Sequence, residues 1–325
     1  MNFGGAIRLN KFGIFIIVCI IFVFGLHIFS KDAESKSEPK KINLRTLLNV
    51  AIKAAENGGK KIIENKDNLN IKSKGLTKEG LPERVTNADV LSHCEMLNTI
   101  RNHFPTITLI SEEHVQSCDD KSSDNSIKDF VDTRIESLIN ENDITIWIDP
   151  LDATHEFTEK LYTYVTTMVC VAVKGKPIIG VIHKPFDKST SWAWVGKTKS
   201  TDLNVQEKST EDNLKVIVSR SHKGDVEKVL QKNFKQKIDV VIAAGAGYKA
   251  LEVAKHNVDA YVHITAIKKW DICAGNAVIN ALGGKMVNKL GEELDYSKDA
   301  EVINENGLVA SINNYKEFIG KLDLN

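Results

Sequence analysis

Asp149 and Asp152 stand three residues apart in the stretch WIDPLDATHEF (147–157), on either side of Pro150 and just ahead of Thr154. Two carboxylates at the end of an apolar run, Ile144 to Ile148, admit two readings: they cap a helix and favour its positive end, or they hold a cation. The rest of the chain argues for the second. Glu112 and Glu113 close another apolar run, TITLIS (106–111), and Asp271 follows HITAIKKW at the start of a helical stretch. Three acidic groups at such transitions can converge on one cleft, where divalent cations relieve their repulsion. Oxygen ligands without a histidine or cysteine cluster select hard ions, and Mg²⁺ is the usual one when water and phosphate fill its other positions. Two such ions clamp the attacking and leaving oxygens of a phosphate ester. A helix beginning past Asp152 would offer the amides of Ala153 and Thr154 to the phosphate. The pattern therefore predicts metal-dependent phosphatase chemistry.

These residues need rigid mounts. A helix is expected from Asn43, which can cap it, with Leu44, Leu47, Leu48, Ala51, Ala54 and Ala55 on one face until Gly58-Gly59 stops the pattern. A second helix is expected from Asp89 to about His103, and a strand over 106–111. Residues 114–142 turn polar and read as a mobile loop with a short helix. After ITIWID, the stretches 164–173 and 177–183, joined by a turn at Gly175, read as a meander continued by SWAWVG. From Leu214 strands alternate with helices at 224–233, 246–256 and 270–282, the signature of a mixed or parallel sheet with helices on its faces. The body divides into an α+β half, 43–205, and an α/β half, 206–325, with a cleft between them.

The N-terminus differs. Arg8 and Lys11 precede an uncharged run from Phe12 to Phe29, near the lower limit for crossing ~30 Å of hydrocarbon, so a signal anchor is expected over 12–29. Positive charge on the short tail, 1–11, keeps it cytosolic and places the body across the membrane, beyond a charged stem at 30–42. A cleaved signal peptide is the competing reading. The whole chain has 43 basic and 43 acidic residues, which excludes a general basic field for nucleic acid and favours a small-molecule partner. Of five cysteines, Cys19 lies in the span, Cys170 and Cys273 sit among apolar neighbours as buried thiols, and Cys94 and Cys118 could pair in an oxidising lumen.

SEEH (111–114), WIDPLDAT (147–154) and KKWDICAGNAVINALGG (268–284) together resemble the lithium-sensitive inositol monophosphatase superfamily, whose signatures are E-E, D-P-x-D-[GA]-T and W-D before a small-residue helix. Further stretches, among them VTNADVLS (85–92), VSRSHKG (218–224) and AGAGYKAL (244–251), resemble its Golgi-resident, membrane-anchored branch acting on adenosine 3′,5′-bisphosphate. The resemblance implies an α/β chain of the layered αβαβα type shared with fructose-1,6-bisphosphatase, and hydrolysis of the 3′-phosphate to give AMP in the Golgi lumen. It implies two or more Mg²⁺ ions held by Glu112, Asp149, Asp152, Asp271 and the Leu151 backbone carbonyl. It also implies a Thr154–Asp89 pair that activates a water for in-line attack, with no covalent intermediate. Ala153 and Thr154 would meet the phosphate, and Ser219, His222, Gly245 and Lys249 would surround the nucleotide.

His155 and Glu113 are given no direct role, and Trp147 and Trp270 read as packing residues. An inositol-phosphate phosphatase with the same metal site, or an inactive nucleotide-binding relative, remains an alternative, and a homodimer an option.

Overall fold

The computed structural model describes residues 10, 12–13, 15–22, 40–76, 80, 82–115, 117–118, 126–204, 213–220, 226–234, 237–313 and 315–321. They belong to two units, 1–40 and 41–325. In the first, Phe12, Gly13 and residues 15–22 are helical, and apolar side chains such as Phe15 and Phe22 are exposed. Among the described residues no helix is long and apolar enough to cross a membrane. The expected anchor runs on through 23–29 and the stem through 30–39, outside the described residues.

The second unit opens with β1 (Lys41–Asn43) and α1 (Leu44–Asn65). Asn43 caps α1 as expected, its Oδ1 accepting from Arg45 N at 2.9 Å. The helix does not stop at Gly58-Gly59 but runs on to Asn65. A Cβ at Gly58 would lie 2.6 Å from Met96 Cγ, and one at Gly59 2.5 Å from His183 Cδ2. The two glycines thus serve close packing of α1, not its termination. After the hairpin β2 (Lys72–Leu76) and β3 (Pro82–Val85) comes α2 (Asn87–His103), which starts two residues earlier than expected because Thr86 caps it, Oγ1 accepting from Ala88 N at 3.1 Å.

β4 (Thr108–Ser111), β5 (Leu138–Asn140), β6 (Ile144–Asp152), the five-residue helix α3 (Thr154–Thr158), β7 (Thr166–Val173), β8 (Lys176–Lys184), β9 (Ser189–Trp194) and β10 (Thr198–Lys199) follow. Among the described residues of 114–142 there is no α-helix, only the start of a 3-10 turn, Glu141–Asp143, at the far end. There Asp132 Oδ1 takes the backbone N–H of Arg134 at 2.9 Å and its guanidinium at 3.0 Å, a local turn that competes with helix. The meander is present: six strands pair in the order β10-β9-β8-β7-β6-β4, antiparallel except for β4 beside β6.

Beyond residue 213 come β11 (Leu214–Ser219), α4 (Val226–Asn233), β12 (Ile238–Ala243), α5 (Ala246–Ala254), β13 (Ala260–His263), β14 (Ile267–Lys268), α6 (Lys269–Ala281), β15 (Lys285–Val287), β16 (Ile303–Asn304), β17 (Leu308–Ser311) and α7 (Tyr315–Lys321). A second sheet has the order β12-β11-β13-β17-β15, with β11 parallel to both neighbours and β17 antiparallel to both of its own.

Side-chain alternation explains the layering. On β7, Val169 and Val171 join the core under α1 and α2, whereas Met168, Cys170 and Ala172 join a core shared with α5, α6 and the second sheet. The far face of that sheet, including Val216, Val218 and Val262, is covered by Leu230 of α4 and Phe318 of α7. The expected αβαβα order of layers results. One correction concerns the middle layer: Cys170 and Cys273 are not free buried thiols but a disulfide joining β7 to α6. Each faces the other across the same core, with Cα atoms 5.6 Å apart, which the apolar context alone did not reveal. Cys94 and Cys118 are also paired.

Candidate active site

In a regular strand, residues three apart face opposite sides of the sheet. Asp149 pairs with Met168 of β7 and Asp152 with Thr166, so three steps on β6 answer two on β7. The extra residue is a β-bulge at Pro150-Leu151, and it returns both carboxylates to one cavity. Ser92 of α2 pins the bulge by donating to Pro150 O at 2.7 Å. The chain then turns through Ala153 at φ 68°, ψ 43°, a left-handed conformation that glycine adopts more readily, before α3 begins at Thr154.

Glu112 follows β4, which runs parallel to β6, and Asp271 lies in the first turn of α6. Their carboxylate oxygens and those of Asp149 come within 4.8 Å of one another. Burial, then the charges of Glu112, Asp152 and Asp271, hold the Asp149 carboxyl well above its ordinary pKa. Burial, then the charges of Glu112 and Asp152, do the same to Asp271. Such a set of hard oxygen donors fits a divalent cation, whose charge would reverse both shifts. Lys74, from the hairpin, supplies positive charge here: its Nζ lies 3.1 Å from Glu112 Oε1 and also contacts Glu113 Oε1. Burial alone would lower the Lys74 pKa, but Glu112 and Glu113 outweigh it and push the value up.

Thr154 Oγ1 is 2.9 Å from Asp89 Oδ1 and 3.0 Å from Leu151 O. Asp89 Oδ2 accepts from Thr86 N and Oγ1 at 2.7 and 2.6 Å, so the carboxylate that completes the α2 capping box is the one that faces Thr154. Burial raises the Asp89 pKa to about 7 against the opposing effect of the Thr86 hydrogen bonds.

Asp152 is held differently from the other three acids. Its Oδ1 accepts from Ala246 N at 3.1 Å, and its Oδ2 from Gly247 N at 2.8 Å and Thr166 Oγ1 at 3.0 Å. Gly245, at φ 67°, permits this approach, since a Cβ there would lie 2.6 Å from Tyr164 O and 3.1 Å from Asp152 Oδ2. Lys249, one turn along α5, is buried with Nζ donating to Gly245 O at 2.6 Å. Burial lowers its pKa to about 8 in spite of the Asp152 charge.

Ala153, Ser219, Gly245 and Lys249 line the same cavity of about 600 Å³ as the carboxylates, while His222 lies outside the described residues. His155 is engaged with Glu159 at 3.0 Å on the exposed side of α3, and Trp147 donates Nε1 to Tyr296 O at 2.9 Å, a packing role as expected.

Sequence reasoning missed several residues around this cavity. Lys74 and Arg84 are two charged residues in a polar hairpin, and nothing in their spacing marked them. Lys268 Nζ bonds Glu83 Oε1 at 2.7 Å, tying the hairpin to the strand before α6. Its position beside the W-D motif was the available signal. Tyr261 also lines the cavity, from the middle of an apolar strand that read as core.

The fold and this acidic site define a layered α/β phosphatase. A profile of the inositol monophosphatase family matches residues 43–320, and the chain belongs to that family as a phosphoric monoester hydrolase. It is 45% identical over 296 residues to inositol monophosphatase 3 of Xenopus laevis, covering 86% of this chain and 83% of that protein. It is 40% identical over 318 residues to the Golgi-resident adenosine 3′,5′-bisphosphate 3′-phosphatase of Mus musculus, covering 93% of this chain and 87% of that one. Among solved structures, the extragenic suppressor protein suhB of Bartonella henselae shares the fold, with TM-score 0.66 at 18% identity over 86% of this chain and 98% of that one.

Proposed function

We propose that the protein hydrolyses the 3′-phosphate of adenosine 3′,5′-bisphosphate to AMP and phosphate, with Mg²⁺ as its metal. The observation that carries this reading is the 2.9 Å Thr154–Asp89 hydrogen bond beside the Glu112, Asp149 and Asp271 cluster. Two or more Mg²⁺ ions, held by those three residues with Asp152 and the Leu151 carbonyl, would polarise water and neutralise charge on the phosphate. Asp89 accepts the Thr154 proton, which leaves the hydroxyl oxygen free to accept a hydrogen bond from the attacking water and aim it in line. As the water attacks, its proton passes through the Thr154 hydroxyl to Asp89, the bond to the 3′-oxygen breaks without a covalent intermediate, and the released 3′-oxygen takes up a proton from solvent.

The substrate assignment rests on charge, room and relatedness. Lys249, Lys268 and Arg84 line a cavity whose roughly 600 Å³ suits a nucleotide, and Lys249 with Ser219, Gly245 and His222 would surround it. The Mus musculus relative named above carries that activity in its name. A Golgi lumen suits the two disulfides, which persist in oxidising compartments. The uncharged run 12–29, preceded by Arg8 and Lys11, is the candidate single-pass anchor that would place the body there.

The test is phosphate release by the purified full chain from adenosine 3′,5′-bisphosphate and from inositol 1-phosphate, with and without Mg²⁺. The reading expects Mg²⁺-dependent release with kcat/KM at least about tenfold higher for the bisphosphate. A preference for the inositol ester would instead support the inositol-phosphate assignment. Digestion of the body by protease in sealed microsomes would overturn the lumenal topology.

A further inference from the structure

Tyr261 stands on β13 and is 1% exposed, yet its hydroxyl has no hydrogen-bond partner among the described residues. Buried tyrosines normally satisfy that group, because stripping water from it without a replacement is unfavourable. Its ring is well placed: Lys249 Nζ lies 5.1 Å from the ring centroid, and His263 meets it edge-on at 6.4 Å. The orphan is therefore not a side chain left loose.

Its surroundings show what the hydroxyl is for. Tyr261 lines the same cavity as Asp152, Lys249 and Asp271. A phenolic hydroxyl keeps its proton at neutral pH and so offers a donor. The oxygens of Asp152 are already taken by Ala246 N, Gly247 N and Thr166 Oγ1. A buried donor on the wall of the cavity that these carboxylates share, with no acceptor of its own among the described residues, awaits an acceptor that arrives with the substrate. The group that seats against those carboxylates is the phosphate ester.

We propose that Tyr261 Oη donates a hydrogen bond to an oxygen of the bound phosphate ester and is a substrate-binding residue of this site. The proposal rests on the phosphatase reading. It differs from a packing role in a measurable way, since an orphan hydroxyl with no ligand to meet can be removed at no cost to function.

The experiment replaces the hydroxyl alone, by Tyr261→Phe in the full chain, keeping the ring under Lys249. Three quantities are compared with the wild type in Mg²⁺: kcat and KM for the substrate, the Kd for inorganic phosphate by calorimetry, and the ligand-free Tm. The expected result is a kcat/KM lower by roughly 10–100-fold and a phosphate Kd weaker by about tenfold, with Tm unchanged or higher. Unchanged kinetics and phosphate affinity would overturn the proposal, as would a fall in Tm that accompanies the lost activity. If the wild type hydrolysed none of the phosphomonoesters offered, the proposed function would fail. The phosphate titration would still decide Tyr261, equal affinity or no binding in both proteins counting against it.

Discussion

Asp89 places one oxygen on the α2 cap and the other on Thr154: Oδ2 lies 2.7 Å from Thr86 N while Oδ1 lies 2.9 Å from Thr154 Oγ1. A helix start and the hydroxyl of Thr154, the proposed catalytic group, thus share one buried carboxylate. The cap fixes its orientation before any ligand arrives, so Thr154 is aimed by α2 as much as by its own turn.

Removing the Thr154 hydroxyl should therefore cost activity and little stability. Thr154→Ala leaves Asp89 bonded to Thr86, and the expected loss in kcat is roughly 10²–10⁴-fold. Thr154→Ser, which restores the oxygen, should recover most of it. A steady-state comparison of the two variants, alongside their Tm values, checks this.

Metal affinity should rise with pH. In the metal-free protein the pKa values of Asp149 and Asp271 are raised by burial and mutual charge, and that of Asp89 to about 7 by burial. A carboxyl raised in the folded state binds its proton more tightly than in the unfolded chain. Its contribution to stability is full below the ordinary carboxylate range, about 4, and is lost as pH rises through the folded value. If Mg²⁺ is the metal, as proposed, protons compete with it for the cluster, so the Mg²⁺ concentration at half-saturation should fall between pH 5 and pH 8, and the Mg²⁺-induced gain in Tm should grow. Calorimetric titrations at several pH values would show it, and a pH-independent affinity would contradict the cluster as the seat.

Asp152→Asn should impair both folding and turnover. On charge alone, the substitution would remove one negative neighbour from the metal site and leave the fold intact. But the amides of Ala246 and Gly247 both donate to this carboxylate, and an asparagine must turn its own NH₂ toward one of them. The expected destabilisation is about 1–3 kcal/mol, read by urea unfolding, with activity abolished even where the variant is fully folded.

What could be read from the sequence followed its periodicities and motifs. The layers were legible because buried strands and helices carry dense apolar patterns, and the site because acids ended those strands. The bulge that turns Asp149 and Asp152 to one side was not, since it depends on pairing with Met168 and Thr166 of another strand. Gly58-Gly59 read as a stop because glycine is a poor helix former, whereas contact with Met96 and His183 gives it a packing purpose. Lys74 reaches Glu112 across 38 positions of chain, a distance over which local pattern carries no information. Tyr261 was hidden for the opposite reason, because a cavity-lining tyrosine and a core tyrosine look alike within an apolar strand.

The Cys170–Cys273 bridge yields the last prediction. It joins β7, which pairs with the strand carrying Asp149 and Asp152, to α6, which carries Asp271 two residues ahead of Cys273. Opening it would restore to the unfolded chain the freedom of a closure that spans 103 positions. Cys170→Ala/Cys273→Ala should then lose on the order of 2–5 kcal/mol of stability. Because the bridge anchors the helix that holds one acid of the cluster, the double variant should also need more Mg²⁺ for half-saturation than the wild type. Mass mapping of peptides from the unreduced protein tests the premise. Recovery of Cys170 and Cys273 as alkylated free thiols, from protein unfolded without reductant, would refute the bridge.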